Sequence, residues 1–578
     1  MGFSLVEVLL AGVTLSLIIT ALVGALLFGE EATMLGGSRG RAALLAEEGL
    51  EVVRNIADQA FTNLVDGTYG LAQSGGQWVF SGTSDTTDIF TRQIVISTID
   101  SKRKSVTATV TWQQNPQRTG QVQLSSRFMN WRAAAPARGG LLAYADYSGP
   151  DDVIRYRTLS VAGSWSAQLT VPDFGVPLDR GTRRIEVYSS ATRNEKILIS
   201  KHVAAGVGDD QYLYAQVWNG TTWGNVVLLG SWSGVVRPDA RDFDGAYLNN
   251  GDFIVVFEDE TPPAGSDIKY RRWDGTSWTA ATDLPTIPGA ATADWIVVRN
   301  RPGTNEAMLA TLASDADTRT LYFNGTVWGG AYTTHGTAHP SPAFEGVGFE
   351  WASYSGSPTA GALVFNEASD NFPNVRIYNT GTGTWGANVE NLNIGGVART
   401  FQVAQRGVGT EWLTCVKDSA ADINCVQTDA TPLWTAPVNA EVATSTNTGN
   451  QRSDSVAYEV LSGDRAVAVY SQGASALARA TPKWRSFNPT TDAWTAEASL
   501  TALGGAAATL VTVENVTDTL GSDILVMMAG ANATLQTIVW NGTTNAFYAS
   551  GGRAQTLQGS AGSPTDADFW FDFAWDRF

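Results

Sequence analysis

A chain of 578 residues is too long for one ordinary domain, and its 59 Gly, 20 Trp and 16% charged residues suit a β-rich, turn-rich polypeptide better than a helical or disordered one. A net charge of −18 argues against nucleic acid as a partner, because no basic patch could release phosphate counterions. Only three His (His202, His335, His339) and two Cys occur, with no zinc-type spacing, and the three His stand in unrelated contexts.

The chain opens on Gly2-Phe3-Ser4-Leu5-Val6-Glu7, and from Phe3 to Phe28 it is apolar except for Glu7. At about 1.5 Å per residue this run is long enough as a helix to cross a bilayer. A carboxylate that deep in lipid costs roughly 2.5–3.5 kcal/mol, so Glu7 requires a partner. The string resembles the N-terminus of type IV pilins and pseudopilins. The resemblance implies that a prepilin peptidase cuts between Gly2 and Phe3, leaving Met1-Gly2 as leader, and methylates the new terminus. It also implies that Glu7 meets the amino group of a neighbouring subunit in a filament, a buried pair where each charge alone would be expensive. A signal peptide or signal anchor is the plainer reading, but it would want a basic n-region and a small-residue cleavage site.

Helical patterning continues past Phe28, with Leu45, Leu50, Val53 and Ile56 as its apolar stripe and Gly36-Gly37 as a place to kink. Alternating segments at 93–97, 105–112 and 121–128 read as a small antiparallel sheet. A long helix on such a sheet is the architecture that the pilin resemblance implies for residues 29–132. Val110-Thr111-Trp112 and Asn130-Trp131 resemble segments of minor pilins of the pilus-modification kind. Residues 133–139 read as a linker.

From residue 140 onward the chain repeats. Trp218-Asn219-Gly220-Thr221-Thr222-Trp223, Trp273-Asp274-Gly275-Thr276-Ser277-Trp278 and Phe323-Asn324-Gly325-Thr326-Val327-Trp328 are near copies, with looser ones ending at Trp385 and Trp494 and degenerate ones at Trp165, Trp434 and Phe547. They recur roughly every 55 residues. Asn-Gly and Asp-Gly predict two-residue hairpins in which both central positions have positive φ. Two apolar strands precede each hairpin, except that the first copy lacks its leading strand and the aromatic segment 569–575 lies spare at the C-terminus. The expected fold is therefore mixed. A pilin-like helix and sheet precede an all-β propeller over 140–578, with eight four-stranded blades, or seven if one degenerate copy is misread, closed by the C-terminal strand. The hairpins resemble a relaxed Asp-box of sialidase-type propellers, which implies a structural turn between outer strands with its Trp packed between blades.

Loops between second and third strands should share one face, and six of them are acidic: Asp146 and Asp152, Asp210, Asp259, Asp315 and Asp317, Asp370, and Asp418. These residues are the candidate ligand or calcium face. Solvated loops, calcium ligands and paired glycosidase carboxylates all remain open, although no complete calcium loop is present and no catalytic pair can be chosen. Cys415 and Cys425 flank a hairpin centred on residue 420, where a disulfide and two free thiols are both allowed.

The expected function is a membrane-inserted minor pilin displaying an extracellular propeller for adhesion or ligand binding. Its partners would be other pilin subunits, the prepilin peptidase, the membrane before assembly and a surface glycan or protein. No cofactor is required, though calcium remains open. A surface-tethered glycan-cleaving enzyme and a secretion pseudopilin are the alternatives.

Overall fold

The computed structural model of the chain describes residues 4–59, 61–100, 103–129, 138–146, 153–175, 180–204, 210–232, 241–259, 268–339, 345–353, 358–367, 371–390, 392–407, 411–428, 435–443, 452–460, 464–473, 475–501, 503, 510–548, 554–558 and 569–578. The chain divides into two compact units, Met1–Ala133 and Ala134–Phe578.

In the first unit one helix, α1 (Leu5–Gln59), runs without interruption. Gly36 and Gly37 do not kink it, because the intact i to i−4 ladder holds them and no neighbouring atom crowds the space beside them. The second half of α1 packs on a sheet of strand order 77–81, 67–74, 90–100, 103–115, 118–129, with Asp85–Thr87 also pairing with the 90–100 strand. The three strands read from the sequence are present in longer form, and the hairpin 67–81 is additional.

The packed stripe of α1 includes the expected Val53 and Ile56, but Ala42, Ala46 and Gly49 complete it, while Leu45 and Leu50 sit at its margins. Small side chains are needed where helix and sheet approach most closely. A Cβ on Gly49 would stand 3.0 Å from Ile94 Cδ1 and 3.1 Å from Arg92 Cδ. Arg92 is buried beneath the helix, where it donates to Leu45 O at 3.0 Å and pairs with Asp85 at 2.9 Å and Glu48 at 3.4 Å. The expected Asn130-Trp131 segment and the linker residues 133–137 lie outside the described residues.

Among the described residues the second unit holds eight antiparallel sheets, seven of them built of sequential strands. Sheets 1 to 7 begin with Arg180–Ser189, Phe243–Tyr247, Ala293–Asn300, Val347–Trp351, Ala398–Gln405, Asp454–Tyr458 and Leu510–Thr517. Sheet 8 is assembled from both ends of the unit: Phe571–Trp575 pairs with Gly140–Asp146, from Phe571↔Tyr144 to Trp575↔Gly140. At this seam Asp576 N–H donates to Gly139 O at 2.9 Å, as Ser190 N–H donates to Glu195 O at 3.0 Å in the continuous hairpin of sheet 1. Two separate chain ends thus reproduce a hairpin.

Each sheet's first strand lies beside the first strand of the next, and Phe571–Trp575 touches the first strands of both sheet 7 and sheet 1. These junctions alternate. Between sheets 8 and 1, 2 and 3, 4 and 5, and 6 and 7 the first strand of the later sheet donates a main-chain bond to the residue two before the first strand of the earlier one: Ile185 N–H to Phe569 O (2.8 Å), Ile296 N–H to Arg241 O (2.7 Å), Phe401 N–H to Glu345 O (3.2 Å) and Val513 N–H to Arg452 O (2.8 Å). Between sheets 1 and 2, 3 and 4, and 5 and 6 an arginine reaches from one hairpin to the next: Arg193 to Gly251 O (2.6 Å), Arg301 to Pro358 O (2.7 Å) and Arg406 to Asp464 Oδ1 (2.9 Å). At the remaining junction Arg138 of sheet 8 faces Asp518 of sheet 7 at 3.8 Å. The sheets are joined two by two, a repeat twice as long as the Trp-ended motif.

Those motifs lie between third and fourth strands. Gly220, Gly275 and Gly325 have φ of 91°, 97° and 92°, but Asn219, Asp274 and Asn324 do not share the positive φ that a two-residue turn would need. The loops span four residues because a side-chain oxygen of the Asn or Asp caps them. Asn219 Oδ1 accepts from Thr221 N–H (3.0 Å) and Thr222 N–H (2.8 Å), and Asp274 Oδ1 accepts from Thr276 N–H (2.7 Å) and Ser277 N–H (2.8 Å). The closing Trp packs against the preceding sheet: Trp223 lies 5.6 Å from Tyr156, Trp328 6.1 Å from Tyr270, and Trp385 4.5 Å from His335. The copy ending at Trp434 lies outside the described residues.

Candidate functional site

Gly2 and Phe3 lie outside the described residues. Glu7 sits in the first turn of α1 and has a partner within the chain: its Oε2 accepts from Ser4 N–H at 2.9 Å, while Ser4 Oγ accepts from Val6 N–H at 3.2 Å. Ser4-x-x-Glu7 is a capping box. The carboxylate is therefore satisfied at a helix N-terminus, which favours negative charge. Around it every apolar side chain to Phe28 is exposed, from Leu5 at 80% to Phe28 at 74%, and α1 is long and apolar enough to cross a membrane.

The acidic loops are mostly held by basic side chains of the same sheet. Asp146 pairs with Arg155 at 2.8 Å, Asp259 with Lys269 at 2.8 Å, and Asp315 and Asp317 both with Arg319 at 2.6 Å. Asp315-Ala316-Asp317 is thus a clamp around a guanidinium. Asp418 caps its own hairpin, accepting from Ala420 N–H (2.9 Å) and Asp422 N–H (3.1 Å). Asp210 precedes the third strand of sheet 1, while Asp152 and Asp370 lie outside the described residues. Among the described residues no group of three or more His, Cys, Asp or Glu could hold a metal ion. Cys415 and Cys425 stand directly opposite each other across the hairpin and form a disulfide.

His202 and His335 are interior structural groups. His202 Nε2 lies 2.7 Å from Ser200 Oγ, and His335 Nε2 lies 2.8 Å from Thr320 Oγ1. Burial lowers the pKa of each to about 3, with Arg376 adding to the effect at His335.

The first strands of all eight sheets line one cavity of about 330 Å³. Because side chains alternate along a strand, every second residue of these inner strands faces it. A continuous ion-pair network runs along part of the cavity wall, with members from sheets 1, 2, 3, 4 and 6. Arg184 pairs with Glu186 (2.7 Å); Arg241 reaches Glu186 (3.6 Å), Asp244 (3.4 Å) and Glu345 (3.2 Å); Arg452 pairs with Glu345 (2.6 Å); Arg299 pairs with Asp244 (2.9 Å) and Glu350 (3.1 Å). Despite burial, the Arg452, Arg241 and Arg184 guanidiniums hold the Glu345 carboxyl below its ordinary range.

Asp244 and Asp572 play matching structural parts. Each accepts the N–H of its own next residue, Gly245 or Phe573, and the N–H of a neighbouring inner strand, Val298 or Val187. Ser455 Oγ does the same for Asn515 N–H at 3.0 Å. Sequence reading placed no functional residue here. The available signal was charge alternating with apolar residues in the inner strands, as in Arg184-Ile185-Glu186-Val187.

These sheets and their neighbour order define the second unit as a β-propeller, joined on one chain to a helix-and-sheet unit. No protein-family model and no curated protein matches the sequence. Among solved structures, the BP39L lectin from Burkholderia pseudomallei superposes with a TM-score of 0.43 at 10% identity, over 64% of this chain and 99% of that one. The Dos1 propeller gives 0.40 at 9%, over 68% and 93%. A lectin of Aleuria aurantia, a six-bladed propeller described with a fucose recognition mode, gives 0.28 at 12%, over 53% and 97%. Likeness at this level leaves the fold to rest on the sheets themselves.

Proposed function

We propose that this chain is a minor type IV pilin that displays an eight-bladed β-propeller, closed by strand Phe571–Trp575, outside the cell for adhesion or for binding a glycan or protein ligand. The observation that carries this reading is the division of α1. Its first half exposes apolar side chains on every face, and its second half is packed on an antiparallel sheet. Such a helix half needs lipid or further copies of itself as a cover, and a filament of pilin helices supplies the second after the membrane has supplied the first. In this reading a prepilin peptidase cuts between Gly2 and Phe3, and Glu7 meets the amino terminus of an adjoining subunit. The propeller is much wider than the helix, so it belongs at a tip or as a rare decoration of a shaft. Its loops, including those bearing Asp146, Asp152, Asp210, Asp259, Asp315, Asp317, Asp370 and Asp418, offer the recognition face.

The detergent-purified full chain, assayed on a panel of surface glycans, is expected to bind without turnover. Release of reducing ends from any glycan in that panel would replace the adhesin reading with a tethered glycosidase.

A further inference from the structure

The charges around the axial cavity do not balance. Three arginines (Arg241, Arg299, Arg452) line it with three carboxylates (Glu186, Asp244, Glu345), and Arg184 and Glu350 extend their network. Two more carboxyl groups line the same cavity, Glu514 on the first strand of sheet 7 and Asp572 on the closing strand. Among the described residues neither is in an ion pair. They sit on the two strands that meet at the junction of sheets 7 and 8, where among the described residues no main-chain bond joins the inner strands.

We infer that Glu514 and Asp572 hold protons in the folded ring at pH values where free carboxylates are already ionised, so that closure of the ring between sheets 7 and 8 is coupled to proton binding. Asp572 is tied to both neighbours of its strand. Its carboxyl accepts Val187 N–H from sheet 1, and Glu514 and Glu186 face it from either side. The cations within reach are Arg184 from sheet 1, Arg241 from sheet 2 and Arg452 from sheet 6, each already engaged by Glu186 or Glu345. With both carboxyls ionised, the cavity would hold two negative charges without partner cations, one on the buried Asp572 and one on the half-buried Glu514. Burial, with Glu186 adding to it, raises the Glu514 pKa to about 7; burial, with Glu514 and Glu186 adding to it, raises that of Asp572 well above the usual carboxylate range. A carboxyl whose folded pKa lies above its unfolded value binds more protons folded than unfolded. Its stabilising contribution is full below the unfolded pKa near 4 and is lost as pH rises through the folded value.

The test is urea unfolding of the full chain in detergent, followed by Trp fluorescence between about pH 5 and 8.5. The wild type should lose stability as pH rises, by up to about tenfold in the folding equilibrium per pH unit for each proton held. Glu514→Gln should be more stable than wild type at the alkaline end and show a flatter profile. Asp274→Asn, which removes an exposed carboxylate that hydrogen bonds from Thr276 and Ser277 hold below its ordinary range, should not flatten it. Parallel profiles for wild type and Glu514→Gln would overturn the inference. So would a wild-type loss at alkaline pH that calcium, but not EDTA, reverses and that Glu514→Gln abolishes, because a metal rather than protons would then balance the two charges.

Discussion

Removal of residues 569–578 is expected to abolish the cooperative unfolding transition of the second unit. The strand Phe571–Trp575 is the innermost strand of sheet 8, and Phe571, Phe573 and Trp575 are all at most 5% exposed. With Trp570 they belong to one buried cluster that includes Leu141 and Leu142 of sheet 8, Ile185 and Leu198 of sheet 1, and Leu525 and Met527 of sheet 7. Truncating a single buried Phe or Trp to Ala costs about 3–5 kcal/mol, and a folded domain has only about 5–15 kcal/mol in hand. Losing four such side chains also strips Gly140–Asp146 of its inner partner and Ile185 of its bond to Phe569. Urea unfolding of the truncated full-length protein, read by Trp fluorescence, should show no sharp transition. An unchanged midpoint would mean that the ring does not depend on its C-terminal strand.

Arg241→Met should be the most damaging single substitution along the axis. Arg241 is 6% exposed and within 3.6 Å of three carboxylates from two other sheets and its own, Glu186, Asp244 and Glu345. Removing one partner of a buried ion pair costs about 3–5 kcal/mol because the remaining charge is left without compensation. Here three carboxylates lose a shared cation, although Arg184, Arg299 and Arg452 retain contacts to them. The expected result is a fall in stability at pH 7 that shrinks on acidification, as those carboxylates take up protons. A loss equal at pH 5 and pH 7 would assign the effect to packing instead.

The outer parts of the propeller were legible in the sequence, and its axis was not. Asn219-Gly220, Asp274-Gly275 and Asn324-Gly325 announce a turn in any context, because the residue before the Gly caps the loop and the Gly takes the positive φ. The spare strand was legible because Phe569–Trp575 is too aromatic to stand alone. Pairwise joining of the sheets was invisible, since it rests on main-chain bonds and on arginines that each reach a different acceptor. The acidic loops were read singly, whereas Arg155, Lys269 and Arg319, at the starts of the following strands, neutralise four of the acids. Reading each loop together with the strand after it would have found those pairs. In α1 the search for large apolar residues overlooked Ala42, Ala46 and Gly49, which are buried because they are small. Glu7 was legible as an exceptional charge, but its capping by Ser4 is a matter of geometry.

The most direct test of the whole reading is whole-cell electron microscopy with gold-labelled antibody against the propeller. Label at filament tips, or sparsely along filaments, is the expected result and would place the propeller on a pilus. Label confined to the envelope, with none on filaments, would contradict a pilin and leave a membrane-anchored propeller.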